Sequence, residues 1–240
     1  VVAAFGPSDM EKYLEKHRRI GRGRIRRIVN HAQSLGEEKA VLSRKQALYY
    51  DEVMQKQRQL IYAMRDELLD GGGISIGRFE KIAAENVRGF VNENQKKGKI
   101  DRQVMNRYLL DNVSYRMEEI PEEALLRRNA EKYLLDGIQK SLSGQEKKMG
   151  DSETMLDFMR IATLAAIDDA WVEEVDYLQQ LQAAVAGRAS AQRNPVYEYR
   201  RDALESFRRM EKTVQRNIMR NILLSDVEHT REGELRILFP

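Results

Sequence analysis

The chain has 240 residues, with 41 Lys and Arg against 38 Asp and Glu, a formal net charge of +3, 42% hydrophobic residues, four Pro and no Cys. Without Cys there is no disulfide scaffold and no thiolate metal site, which leaves a reducing, cytoplasmic setting as the expectation. No apolar run approaches the roughly 18–20 residues of a membrane span, and the first residues do not follow the signal-peptide pattern.

Charged residues make up 33% of the chain and prolines are few, a composition that suits long helices with wet outer faces. The first candidate element starts at Ser8, with Glu11 at capping-box spacing, and runs to about Ile20, where Gly21 and Gly23 interrupt it. From Arg24 to Leu69 there is no Pro. Ile25, Ile28, Val29, Ala32 and Leu35 form one apolar stripe, which Leu42, Tyr49, Val53, Leu60, Met64 and Leu68 resume. A single helix over this stretch would be roughly 70 Å long at ~1.5 Å per residue, a beam on which other parts rest.

Gly71-Gly72-Gly73 ends the beam, because glycine is a poor helix former. Residues 74–150 read as a unit of short amphipathic helices: one with Phe79, Ile82, Ala83, Val87 and Phe90, a second with Val104, Met105, Tyr108 and Leu109, and a third opening at Pro121 with Glu122 and Glu123 in its first turn. Gly144 to Gly150 reads as a polar, mobile break. Helix resumes at Asp151 and continues to about Gly187, with Leu156, Met159, Leu164, Trp171, Val175 and Leu178 as its apolar positions. A short turn over Arg188 to Asn194 then reverses the chain. Asn194 suits an N-cap and Pro195 the first helical position. The return helix carries Tyr199, Ala203, Phe207, Met210, Val214 and Ile218, spaced 4, 4, 3, 4 and 4. Two long helices with facing stripes predict an antiparallel hairpin. Leu235 to Phe239 is a candidate short strand.

The predicted fold class is therefore all-α and elongated: residues 1–23 as a lead-in with a basic linker, 24–70 as the long helix, 71–150 as a small helical domain, 151–225 as the hairpin and 226–240 as a tail. No G-x-x-x-x-G-K-[ST] phosphate loop occurs, and Gly71 to Gly77 reads as a helix break. His17, His31 and His229 lie far apart without metal-ligand spacing, so no metal site is expected. The acidic pairs Glu118-Glu119, Glu122-Glu123 and Glu173-Glu174 read as solvated helix faces, and no catalytic residue is expected. Lys16 to Arg27 holds Lys16, Arg18, Arg19, Arg22, Arg24, Arg26 and Arg27 with no acid. This cluster is either a solvated or protein-docking face or a patch for a polyanion, whether nucleic acid or anionic lipid. It has no interleaved aromatic for base stacking.

Several of these segments resemble the C-terminal third of SecA, the ATP-driven motor of bacterial protein export. On the beam, Ala32-Gln33, Arg44-Lys45, Tyr50-Asp51-Glu52-Val53-Met54, Gln57-Arg58, Ile61-Tyr62 and Arg65 are similar to the family's scaffold helix. On the hairpin, Ile167-Asp168, Trp171, Asp176-Tyr177-Leu178, Ala191-Gln192, Pro195, Glu198-Tyr199 and Phe207 are similar, in order, to its two-helix finger. Phe5 to Asp9 resembles the end of the second motor domain, and residues 74–150 occupy the place of the helical wing domain.

The resemblance implies a non-catalytic piece of a longer translocase, whose nucleotide-binding and preprotein-crosslinking parts precede it. ATP and magnesium would belong to that parent protein, with no cofactor in this piece. It implies that Arg188, Ala189, Ser190 and Gln192 form a fingertip touching preprotein and the SecYEG channel. Tyr50, Asp51, Gln57 and Arg58 would face the motor domains of the same chain, and Trp171, Phe207 and Met210 would form the finger core. The cluster of Arg18, Arg19, Arg22, Arg24, Arg26 and Arg27 would lie against a motor domain or an anionic lipid surface. A cytoplasmic location, peripheral at the inner face of the bacterial membrane, follows, and a homodimer is left open. The chain departs from the family pattern where Ser190 stands in place of a fingertip Tyr, Glu174 in place of a His, and Gln179 in place of an Arg. The stretch from Asp176 to Pro195 is also about three residues longer than usual. These departures resemble an accessory SecA of Gram-positive bacteria, which exports a narrow set of substrates.

Overall fold

The proline-free stretch forms one continuous helix, α1, over Arg22–Glu67, 46 residues long, and Gly23 lies inside it. The long helix therefore starts two residues before the expected Arg24, with Gly23 in its first turn. The computed structural model describes residues 22–72, 74–116, 118–187, 194–229 and 235–240. The predicted helix over Ser8 to Ile20 lies outside them. A five-residue π-helical turn, Leu68–Gly72, takes the chain off the end of α1.

α2 (Ile76–Asn94) starts where Ser75 accepts a hydrogen bond from the backbone N–H of Arg78. It buries Phe79, Ala83, Val87 and Val91, one per turn. A minimal hairpin follows, β1 (Gln95–Lys96) and β2 (Lys99–Ile100). Its two turn residues, Lys97 and Gly98, have φ of 53° and 78°, the left-handed pair that a two-residue hairpin requires. α3 (Arg102–Asn112) is capped by Asp101, whose carboxylate accepts from the N–H groups of Gln103 and Val104. Met105 is buried there while Val104 is exposed, contrary to the predicted stripe.

The helix expected at Pro121 begins later. Pro121 leads a single 3-10 turn, Glu122–Leu125, in which Glu122 holds both Lys99 and Arg102, and α4 runs from Arg127 to Met149. The polar stretch Gly144 to Gly150 is corrected as well: α4 continues to Met149 and stops at Gly150, whose φ of 85° favours glycine. Burial explains the difference. Leu142, Gln145 and Met149 face the core one turn apart, and Gln145 Nε2 donates to the backbone carbonyls of Leu223 and Ser225 at 3.0 and 2.9 Å.

α5 (Ser152–Gly187) and α6 (Pro195–Leu224) pack side by side as the predicted hairpin, with Asn194 capping α6 and Pro195 at its start. All six predicted apolar positions of α6 are buried. On α5, Met159 and Leu178 are buried while Leu156 is exposed. The tail pairs β3 (Asp226–His229) with β4 (Leu235–Leu238), the short strand expected near the C-terminus.

Six α-helices and two small antiparallel sheets therefore make up the described residues. One apolar core joins Ile61 and Leu68 of α1, the inner faces of α2 to α4, and the lower part of the hairpin around Phe158, Phe207 and Met210. A second, smaller cluster stands apart from it, made of Tyr50, Leu178, Leu181, Val185, Tyr199 and Ala203.

Candidate functional site

The long helix is bare over much of its first half. Leu42 is 60% and Leu60 55% exposed, so the predicted stripe is not packed at these two positions. The buried face keeps Leu68 and the partly covered Val53 of that stripe, but runs one residue later at Tyr50 and Ile61, and takes in Gln57 and the partly covered Met54. This face meets the hairpin, and the region of contact is the candidate functional site: a joint between beam and prong.

Four kinds of contact build it. The rings of Tyr50 and Tyr199 meet edge to face, centroids 4.6 Å apart at 63°. Gln57, buried, donates from Nε2 to the backbone carbonyl of Ala203 at 3.0 Å. Nearer solvent, Glu52 receives Arg200 at 3.1 Å and Lys56 at 2.8 Å, and the Arg200 guanidinium lies 5.1 Å over the ring of Tyr49. Lys56, and then Arg200, hold the Glu52 carboxyl below its ordinary range. Lower on the beam, Arg65 pairs with Asp168 of α5 at 3.0 Å. Exposed pairs of this kind are each worth about 0–1 kcal/mol, so the buried contacts set the strength of the joint and the ion pairs trim its angle.

Inside the hairpin, Glu174 is buried and accepts a hydrogen bond from the Ser206 hydroxyl at 2.6 Å. Burial raises its carboxyl above the ordinary value, against the pull of Ser206 and of the Arg209 charge. The sign of the consequence is fixed. The folded chain holds this proton at pH values where the unfolded chain has released it, so Glu174 lowers stability as pH rises from 4.5. Glu174→Gln, which keeps an acceptor for Ser206, is expected to melt higher than wild type at pH 7. That gain is expected to vanish when melting curves are recorded below pH 4.5.

The positions singled out in the sequence fall as follows. Trp171 is half-buried against the main core, and Phe207 and Met210 are buried in that same core. Tyr50 and Gln57 spend their contacts on the hairpin, so of the four residues assigned to the motor domains only Asp51 and Arg58 keep free surface. Arg26 and Arg27 are exposed on α1. Arg18 and Arg19, and the fingertip residues Arg188, Ala189, Ser190 and Gln192, lie outside the described residues. Among the described residues no group of acidic or His side chains is placed to hold a metal, and no helix is long and apolar enough to cross a membrane. Sequence reading missed Glu174 as anything but a solvated acid. Its signal was present: it sits one turn before Leu178, on the buried side of α5.

A long helix that carries further helices at one end and clasps a helical hairpin along its side defines a scaffold module. A family model described as the SecA Wing and Scaffold domain matches residues 19–226, and the chain belongs to the SecA family. Among similar proteins, the Streptococcus agalactiae "Protein translocase subunit SecA 2" is 34% identical over 227 residues, which is 94% of this chain and 28% of that protein. The Pediococcus pentosaceus protein of the same name is 31% identical over 255 residues, covering all of this chain and 32% of the relative. The Staphylococcus aureus one is 30% identical over 221 residues, 90% of this chain and 27% of the relative. The chain spans under a third of the length of these relatives.

Proposed function

We propose that this chain is the non-catalytic transmission and contact module of a SecA-type protein translocase, linking ATP-driven motor domains to the preprotein and the SecYEG channel. The observation that carries this reading is the joint. The hairpin lies along the scaffold helix and is fixed to it at Tyr50–Tyr199, Gln57–Ala203 and Arg65–Asp168, three places spread along α1 from residue 50 to residue 65. A rod and prong locked at several points pass a displacement on as a rigid body, because packed helices are bistable and not continuously deformable. ATP and magnesium would act in the motor domains, with Asp51, Arg58 and the exposed first half of α1 offered to them. The names of the relatives, together with Ser190, Glu174 and Gln179, support an accessory translocase with few substrates.

The basic cluster is assigned to a motor domain or to the anionic inner face of the membrane, where the module would work peripherally. A polyanion-binding module is the competing reading. It requires affinity for nucleic acid or anionic vesicles that falls steeply with salt. The direct test is a photocrosslinker at Ser190 in the full-length protein. During export it is expected to label preprotein or channel subunits; a probe there that labels neither while export proceeds removes the tip as a contact.

A further inference from the structure

The seam between α1 and α6 repeats every seven residues. On α1, Tyr50, Met54, Gln57, Ile61, Met64 and Leu68 are spaced 4, 3, 4, 3 and 4; on α6, Tyr199, Ala203, Ser206 and Met210 are spaced 4, 3 and 4. The helices run parallel: Tyr50 meets Tyr199, Gln57 meets Ala203, and Ile61 and Met64 line one cleft with Met210 and Val214. Such a seam is degenerate. Sliding one helix by seven residues, about 10 Å at ~1.5 Å per residue, returns large apolar side chains to apolar holes.

We infer that Gln57, Ser206 and Glu174 are positioning residues that lock the register of the scaffold helix on the hairpin. They form one connected buried layer: the Ala203 carbonyl lies 3.0 Å from both Gln57 Nε2 and Ser206 Oγ, and Ser206 in turn reaches Glu174. The small side chain of Ala203 lets α1 come close enough on this face for Gln57 to reach the backbone. One heptad further on, Gln57 would meet Met210; one heptad back, Val196. Either side chain is bulkier than the alanine methyl and would hold α1 away from the α6 backbone, and the buried amide would lose its partner. In the same move Tyr50 or Met64 would replace Gln57 beside the polar layer. A polar group in a heptad seam penalises every wrong register more than it strengthens the right one. The layer also divides the main core from the small cluster around Tyr50 and Tyr199, where it adds little apolar packing and much discrimination.

The chain has no native cysteine, so introduced pairs report without background. Glu52→Cys with Arg200→Cys marks the native register, since these side chains touch at 3.1 Å. Gln59→Cys and Lys45→Cys, each with Arg200→Cys, mark a one-heptad slip in either direction. With a short bis-maleimide, only the first pair is expected to crosslink in the otherwise unchanged chain. Adding Gln57→Leu, Ser206→Ala and Glu174→Leu is expected to raise the slipped crosslink about fivefold or more with helix content unchanged. Glu174→Gln, which keeps the acceptor, is expected to stay in the native register. An apolar triple variant that crosslinks only at the 52/200 pair overturns the lock. Should that variant fail to fold, Gln57→Leu alone is measured; about a twofold rise is expected, and no rise is equally decisive. The consequence for export rests on the proposed transmission role. In the full-length protein a slipped register is expected to abolish export while nucleotide turnover persists; export that survives a proven slip counts against the transmission reading and leaves the lock standing.

Discussion

Replacing Tyr199 by alanine is expected to destabilise the chain by about 3–5 kcal/mol, the range for deleting a large buried aromatic side chain. Replacing it by phenylalanine is expected to change stability little, or to raise it by up to about 1 kcal/mol. The two outcomes separate the ring from its hydroxyl. The ring is fully buried and carries the edge-to-face contact with Tyr50 that anchors the second apolar cluster. The hydroxyl is buried with no hydrogen-bond partner, so removing it ends a desolvation cost. Burial first, then the nearby Glu174, Asp51 and Tyr50, push this phenol up to about 12 from 10.0. Above pH 10 the folded state therefore keeps a proton that the unfolded state gives up, and stability falls as pH rises toward about 12. Tyr199→Phe is expected to flatten that decline, with Tyr50 and Tyr108, also raised by burial, supplying the remainder. Urea titrations read at the transition midpoint, with the slope unchanged, measure all of these effects. A Tyr199→Ala variant as stable as wild type would mean that the beam and hairpin do not meet at Tyr50.

The same residues show what the sequence makes legible. On α6 the apolar spacing from Tyr199 to Ile218 picks out residues that are all buried, but it misses the polar Ser206 and the end of the helix, where Met219, Asn221, Ile222, Leu223 and Leu224 are buried as well. On α1 the periodicity is diluted. Leu42, Leu48 and Leu60 are apolar and exposed, while Gln57 is polar and buried, and together they draw the apparent stripe one position off the true seam. Where such residues stay exposed they answer to no local core, and periodicity misreads them. The opposite error occurred at Gly144 to Gly150. Polar, glycine-containing sequence there is held helical by tertiary contacts, above all the two carbonyls that Gln145 satisfies at the end of α6. For Glu174 the sequence carries only a position, one turn before Leu178; what the burial satisfies is visible only in the fold, which brings the Ser206 hydroxyl, 32 residues away, alongside it.

Trp171 is the second position where a large effect is expected, and its half-buried state sets the size. Full burial would put alanine substitution near the top of the range for large aromatics; with part of the indole in water, a loss of about 3 kcal/mol is expected. The ring packs on the main core where Phe207 and Met210 enter it, at the base of the hairpin, below the polar layer and on the opposite side of it from Tyr199. Two consequences distinguish it from the upper cluster. Trp171→Ala and Phe207→Ala touch one packed region, so their costs should fail to add, with a coupling of about 0.5–3 kcal/mol in a double-mutant cycle. Trp171→Ala and Tyr199→Ala belong to separate clusters, and their costs should add to within about 0.5 kcal/mol. Strong coupling between Trp171 and Tyr199 would show that the hairpin is held as one undivided core, and the polar layer would then divide nothing.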